Sequence, residues 1–242
     1  MLKIASVPYL NGVPLIEGIE GVILRPPSQL GELLTTKKAA VVLVSAIEVL
    51  RHGWDYVPGI AVASPGKTDS VRLHYKVDLA KIRRVALDRN SRSSNTLARI
   101  ILERSHKLRP RYVERDPSRS VSMKDVDAAL TIGDTSFRPV GLPFLDLGTE
   151  WRGLTGRPFV YALWAFLPGH PLAREMGTVL RQAKARGLAH IGEIAAREAK
   201  RLNLTTHFCR RYLTEYITYD LGPAERAGLK LFWKYAQALE GA

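Results

Sequence analysis

The sequence predicts an α/β fold of two lobes, with mixed, largely parallel sheets and a helical C-terminal tail. Three observations lead there. Short apolar runs alternate with helical patterns through the first two thirds of the chain, as in strands joined by crossover helices. The alternation pauses after Val77 and starts again at "RRVALD". The last third carries helical spacing alone. At 242 residues the chain is long enough for two lobes and a substantial core.

Taken in order, "LKIASVPY" and "GVILR" read as strands, and "SQLGELLTTK" as a helix with Ser28 as its N-cap. "AAVVLVS" is a continuous apolar run, suited to a strand buried on both faces. "AIEVLRHG" is a short helix closed by Gly53. "YVPGIAVAS" and "VRLHYKV" are two further strands.

After Val77, "RRVALD" is a strand and "SRSSNTLARIILERS" a helix whose Leu97, Ile100 and Ile101 form one core face, with His106 or Leu108 extending it. "RYVER" and "AALTIGD" are strands. "FLDLGTEWRGLTGRP" reads as a loop-rich passage, and "FVYALWAFL" as the strongest strand of all. Leu172, Met176, Val179, Leu180 and Ala183 then share one helical face, as do Ile191, Ile194, Ala195 and Leu202. "HFCRRYLTEYITYDLG" and "PAERAGLKLFWKYAQAL" are the last helices, Pro223 suiting a first turn. The expected division is residues 1–77 plus 165–242 for the larger lobe and 78–164 for the second, with a ligand cleft between them.

Composition narrows the function. The hydrophobic share of 46% with 24% charged residues is that of a folded globular protein. A single cysteine, Cys209, allows no internal disulfide and fits a reducing cytosol. Met1 to Leu10 has no secretory pattern, and no apolar window is long enough to span a bilayer, so the expected location is cytoplasmic with no membrane partner. The net charge of +13 comes without a Lys/Arg run of five and without basic–aromatic interleaving. That favours a solvated basic surface, or attraction of an anionic small molecule, over nucleic acid. The six histidines are scattered, and HExxH, paired cysteines, GxGxxG, phosphate-loop and GxSxG patterns are all absent. The expectation is chemistry with no metal and no cofactor.

What remains is a set of polar turns, each at the C-terminal end of a predicted strand. They are Tyr9-Leu10-Asn11, Ser45, the 64–70 stretch ending in Ser70, Ser91-Arg92-Ser93-Ser94-Asn95, and the turn of Asp134. Uncharged donors at helix N-termini suit carboxylates. Each also has a plain reading: Ser93 or Ser94 as an N-cap, Ser45 as a cap, Asp134 as a turn former. The aromatic set Trp151, Phe159, Tyr161, Trp164 and Phe166 is first of all core, with one or two rings available to wall a ring-shaped ligand. Asn11 and Ser93 are the candidate catalytic residues. Tyr9, Ser45, Ser70, Ser91, Arg92, Ser94, Asn95, Asp134 and Trp164 are the candidate substrate-binding ones.

Five segments, "VPYLNGVPL", "LVSAIEVL", "VALDRNSRSSNTLARIIL", "TIGDTSF" and "DLGTEWRGLTGRPFVYALW", run in order from residue 3 to about 168. Together they resemble the menaquinone-biosynthesis family of the futalosine route. That resemblance implies a cytoplasmic relative of type II periplasmic binding proteins, in agreement with two lobes. It implies a dicarboxylate substrate, chorismate, losing water to give 3-[(1-carboxyvinyl)oxy]benzoate without metal or organic cofactor; a homodimer is left open. The family's naphthoate-forming branch opens with Cys-Pro-Asn-Asp and relies on a histidine. This chain has Tyr9-Leu10-Asn11 and no histidine near Asp134, which favours the dehydratase branch. Two departures stand out. Ser91-Arg92-Ser93-Ser94 replaces Ser-Arg-Thr-Ser, and Gly66-Lys67-Thr68-Asp69-Ser70 replaces Gly-Pro-Val-x-Ser.

Within that resemblance, a neutral amide such as Asn11 has no useful basicity, so its expected role is to orient a hydroxyl or carboxylate. The substrate's own enolpyruvyl carboxylate is one proton acceptor and Asp134 the other. The rival readings are the naphthoate synthase and a non-catalytic small-anion binder.

Overall fold

Strand pairing in the computed structural model, which describes residues 3–116 and 122–241, gives two five-stranded sheets. Leu2, the first residue of the expected opening strand, lies outside the described residues. In the first sheet β1 (Ile4–Ser6) runs parallel to β2 (Ile23–Leu24) and to β3 (Val41–Ser45). The next strand in space, β10 (Phe159–Phe166), enters antiparallel between β3 and β4 (Asp55–Ser64). In the second sheet β6 (Arg84–Asp88) is parallel to β7 (Arg111–Arg115) and β8 (Ala128–Ile132). There β5 (Val71–Tyr75) is antiparallel to β8 and to β9 (Phe144–Asp146).

The sheets are therefore evenly mixed rather than largely parallel. The cause is the crossing: β5 and β10 are the strands by which the chain changes sheets, and each enters against its neighbours. The crossings occur between Ser64 and Val71 and between Asp146 and Phe159. A division at 77 and 164 follows neither, because hydrophobic alternation marks strands without saying which sheet they join.

Apolar side chains on both faces of the sheets make two main cores. The first holds β1, β3, β4 and β10 under Leu30 and Leu34 of α1 (Pro27–Thr35) and Met176 and Leu180 of α5 (Ala173–Ala189). Ile194 and Ala195 of α6 (Ile191–Leu202) complete it. The second takes Leu97, Ile100 and Ile101 of α3 (Arg92–Arg104), as their spacing requires. Phe232 and Ala236 of the last helix, α8 (Pro223–Glu240), join this second core beside Trp151 and Phe159, so the C-terminal tail serves both sheets.

Local expectations change as well. The stretch 207–222, expected as one helix, holds α7 (Thr206–Arg211) and a π turn, Tyr212–Tyr216, before the chain extends at Ile217, and Leu172 is exposed rather than on the core face of α5. The passage 144–158 contains β9 and a helix, α4 (Leu147–Thr155). Asp146 caps it by accepting the Thr149 N–H at 2.8 Å, and Gly156 closes it at φ 67°. Gly148 disguises the helical pattern, yet it is required: a Cβ there would stand 2.2 Å from the Gly66 carbonyl oxygen. Ser28 is not a cap, because Pro27 takes the first helical position; its hydroxyl reaches Asn90 Oδ1 at 3.2 Å instead. Among the described residues no helix is long and apolar enough to cross a membrane.

Candidate functional site

A cavity partly open to solvent lies where strand ends of both sheets face each other. Val7, Leu43, Val62, Val71 and Ile132 form its apolar wall, and Tyr9, Asn11, Ser45, Ser70, Ser91, Ser94 and Tyr161 its polar one. No charged side chain is among these lining residues. Such a surface offers hydrogen bonds without a competing charge.

Each polar group arrives by a local rule. After β1 the chain bends into a 3₁₀ turn over Leu10–Leu15 and presents Tyr9 and Asn11. The Tyr9 ring lies against Gly133 of the second sheet, where φ is 57° and an added Cβ would meet ring atoms at 2.9 Å. Burial, helped by the negative charge of Asp88, raises the Tyr9 phenol above its ordinary range, so it stays protonated. Ser45 ends β3 at the start of α2 (Ala46–His52) without making a side-chain cap bond, which leaves its hydroxyl to the cavity. Ser91 is the N-cap of α3: it accepts the Ser94 N–H at 3.3 Å and donates to Ser94 Oγ at 2.9 Å.

Helical geometry then separates the serine cluster. Ser91 and Ser94 are three apart and share the cavity side. Ser93 is turned away, buried, and accepts the Ile47 N–H at 3.1 Å, tying the starts of α2 and α3 together. Arg92 points outward, its Nε 3.3 Å from Glu48 Oε1. Asn95 donates back to the Asp88 carbonyl at 2.8 Å. None of Ser93, Arg92 and Asn95 lines the cavity.

Asp134 and Trp164 also stand outside it. Asp134 is already engaged: it accepts the Leu10 N–H at 2.8 Å and the Arg201 guanidinium at 3.1 Å. Trp164 is wholly buried in the first core. The ring that does reach the cavity is Tyr161, three residues earlier on β10 and therefore on the opposite face. Its hydroxyl meets Ser64 Oγ at 3.3 Å.

The 64–70 crossing is pinned by Asp146, which accepts the N–H groups of Thr68 at 3.1 Å and Asp69 at 2.6 Å. Asp69 in turn binds Arg72 at 2.6 Å, so its added charge is neutralised inside the loop. This leaves Ser70 on the cavity wall. Two nearby groups carried no sequence signal of function. Tyr212, fully buried, donates to Ser70 Oγ at 2.9 Å. Asp88 ends β6, and burial with the neighbouring Asp116 pushes its carboxyl up to about 7 despite the Asn90 N–H it accepts.

A family model described as menaquinone biosynthesis matches residues 2–238. The chorismate dehydratase of Thermus thermophilus is 31% identical over 250 residues, covering 93% of this chain and 91% of its own length. Among solved structures, a protein from Archaeoglobus fulgidus superimposes with a TM-score of 0.79 at 18% identity, over 100% of this chain and 98% of that one. The periplasmic aliphatic sulphonate binding protein of Escherichia coli gives 0.65 at 17% identity, over 99% of this chain and 86% of that one. At such identities these two likenesses show the fold alone, which is that of periplasmic binding proteins.

Proposed function

The chain belongs to the menaquinone-biosynthesis family, and from that premise we propose that it is a cytoplasmic hydro-lyase that converts chorismate to 3-[(1-carboxyvinyl)oxy]benzoate. The observation that carries this reading is the wall of the cavity: Asn11, four serine hydroxyls and two phenols, with no side chain charged among them. Such a wall suits a dianion that brings its own charges and needs orientation more than a strong protein base.

The two sheets act as the two lobes of a cleft, and the ligand sits between them. The α3 N-terminus, with Ser91 and Ser94, receives one carboxylate, and Ser45 or Ser70 the other. The net charge of +13 draws the dianion toward the molecule.

In the reaction the ring C3–H bond breaks, and its electron pair enters the ring. The C4–O bond breaks, hydroxide leaves, and the ring becomes aromatic. The proton goes to the substrate's enolpyruvyl carboxylate, which lies close to C3, and is carried off with the hydroxide as water. Asn11 orients the leaving hydroxyl or that carboxylate and does not act as a base. The engagement of Asp134 with Leu10 and Arg201 favours the substrate carboxylate over Asp134 as acceptor.

The test is purified protein with chorismate and no added metal, followed by absorbance and mass. Loss of one water from chorismate supports the reading. Saturable chorismate binding without turnover overturns it in favour of a binder, and turnover of the naphthoate-synthase substrate instead moves the chain to that branch.

A further inference from the structure

Helices α3, α4 and α7 are capped from within. Ser91, Asp146 and Thr205 stand at their N-caps, and each accepts the backbone N–H three residues on. The donors are Ser94 at 3.3 Å, Thr149 at 2.8 Å and Phe208 at 3.1 Å. Helix α2 departs from this rule. Its N-cap is Ser45, and Ser45-Ala46-Ile47-Glu48 has the spacing of a capping box. Yet the Ser45 side chain makes no cap bond.

Both parts of that box are met from α3 instead. Ile47 gives its N–H to Ser93 Oγ at 3.1 Å, a bond between two buried residues. Ile47 is the second residue of α2, a position whose amide an N-cap hydroxyl ordinarily serves. Glu48 is also buried, and its Oε1 lies 3.3 Å from Arg92 Nε. Arg92 and Ser93 open α3, so the first turn of one helix closes the start of the other.

This exchange matters to the cavity. A buried N–H needs an acceptor, because water does not reach it. Two hydroxyls stand near enough in the fold to compete for that role at α2. Ser45 lines the cavity and Ser93 does not. With Ser93 as the acceptor, Ser45 keeps its hydroxyl for the cavity, where it can donate to a carboxylate. The same bond crosses between the sheets, since α2 follows β3 of the first and α3 follows β6 of the second. It therefore sets Ser45 against Ser91 and Ser94 on the shared wall.

We propose that Ser93 is a positioning residue of this site: by capping α2 from outside, it holds the Ser45 hydroxyl on the cavity wall for a substrate carboxylate; its bearing on turnover rests on the dehydratase reading above. Ser93 acts through Ser45 alone. Without the Ser93 hydroxyl, Ser45 turns back onto the first amides of α2, and the wall loses a donor.

Thermal midpoints and chorismate kinetics of Ser45→Ala, Ser93→Ala and the double variant test it. Ser45→Ala keeps a Tm close to the parent's, because its hydroxyl caps nothing. Ser93→Ala lowers Tm by no more than about 2 °C, since Ser45 takes over, whereas the double variant strands the buried Ile47 N–H and loses about 4–8 °C. In turnover, Ser93→Ala raises KM by about 3- to 10-fold with kcat within about twofold, as Ser45→Ala does, and the double variant has no higher KM than either. Midpoint losses that simply add overturn the proposal. So does a KM that stays at the parent's value in Ser93→Ala. A midpoint loss beyond the sum, in a protein that leaves chorismate unchanged, supports the capping exchange and rejects the dehydratase reading.

Discussion

Two short 3₁₀ turns face each other across the cavity, Leu10–Leu15 after β1 and Gly133–Phe137 after β8. Both follow a buried strand, and both carry a polar side chain at their second residue, Asn11 in one and Asp134 in the other. Only the first presents it to the cavity. Asp134 reaches across to the Leu10 N–H and to Arg201, so it holds the turns together and has little left for a ligand. Asn11 lines the cavity and brings both a donor and an acceptor to it. Position at a strand end thus brings a side chain near the site, and the partners already in place decide whether it serves there.

The largest effect expected from breaking this contrast is on the first turn. Asn11→Ala removes the one amide in the wall and should lower kcat on chorismate by about 100- to 1000-fold, the range seen when a single orienting donor is lost. Its thermal midpoint should stay close to the parent's. A kcat within a few-fold of the parent would shift the chemistry away from this turn.

A third strand end sharpens the comparison. Asp88 ends β6 with the Asn90 N–H at 2.8 Å as its backbone donor, and burial raises its carboxyl from 3.8 to about 7. Between those values the folded protein holds a proton that the unfolded chain has released. Stability therefore falls as pH rises through that window, and the cost is complete above 7. Asp88→Asn keeps the acceptor for Asn90 and removes the charge. It should be more stable than the parent by roughly 2–4 kcal/mol at pH 8 and equal to it near pH 4. Urea midpoints at the two pH values decide this, and a difference independent of pH would refute it.

Gly133 comes next, because it lets the second turn accept the Tyr9 ring. Ala there must hold φ at 57° and places a Cβ 2.9 Å from ring atoms. Gly133→Ala should cost about 1–3 kcal/mol in unfolding free energy and raise KM as Tyr9 is displaced. An unchanged KM would mean that Tyr9 takes no part in holding the ligand.

The strands and the first helices of this site were legible because continuous apolar runs and capping residues are local signals. So were Tyr9, Asn11, Ser45, Ser70, Ser91 and Ser94 as strand-end groups, all of which reach the cavity wall. Ser93 and Arg92 were not separable from their neighbours by residue type; the 100° step of the helix turns them away. Trp164 and Tyr161 differ only in which face of β10 they occupy, and knowing which face meets the cleft required the sheet order. Tyr212 lies 142 residues from Ser70, and no local pattern announces such a contact. The helix Leu147–Thr155 was hidden by Gly148, whose presence answers a close backbone approach and not a turn.

The smallest effect belongs to the second turn, and it is the one that separates the two candidate proton acceptors. Asp134→Asn keeps an oxygen for the Leu10 N–H and gives up the charge that faces Arg201, a residue whose side chain is 47% exposed. The ion pair there is worth less than about 1 kcal/mol, so the variant should fold almost as stably as the parent. If Asp134 only joins the turns, kcat changes by no more than about threefold, since a positioning hydrogen bond survives intact. If Asp134 takes the C3 proton, an amide cannot replace it, and turnover drops by about 100-fold or more with no matching change in stability. Asp134→Ala supplies the control: it strands the N–H of the wholly buried Leu10 and should cost about 1–3 kcal/mol by that route alone. A stable, active Asn variant beside a weakened Ala variant assigns Asp134 to holding the turns, and leaves the proton to the substrate.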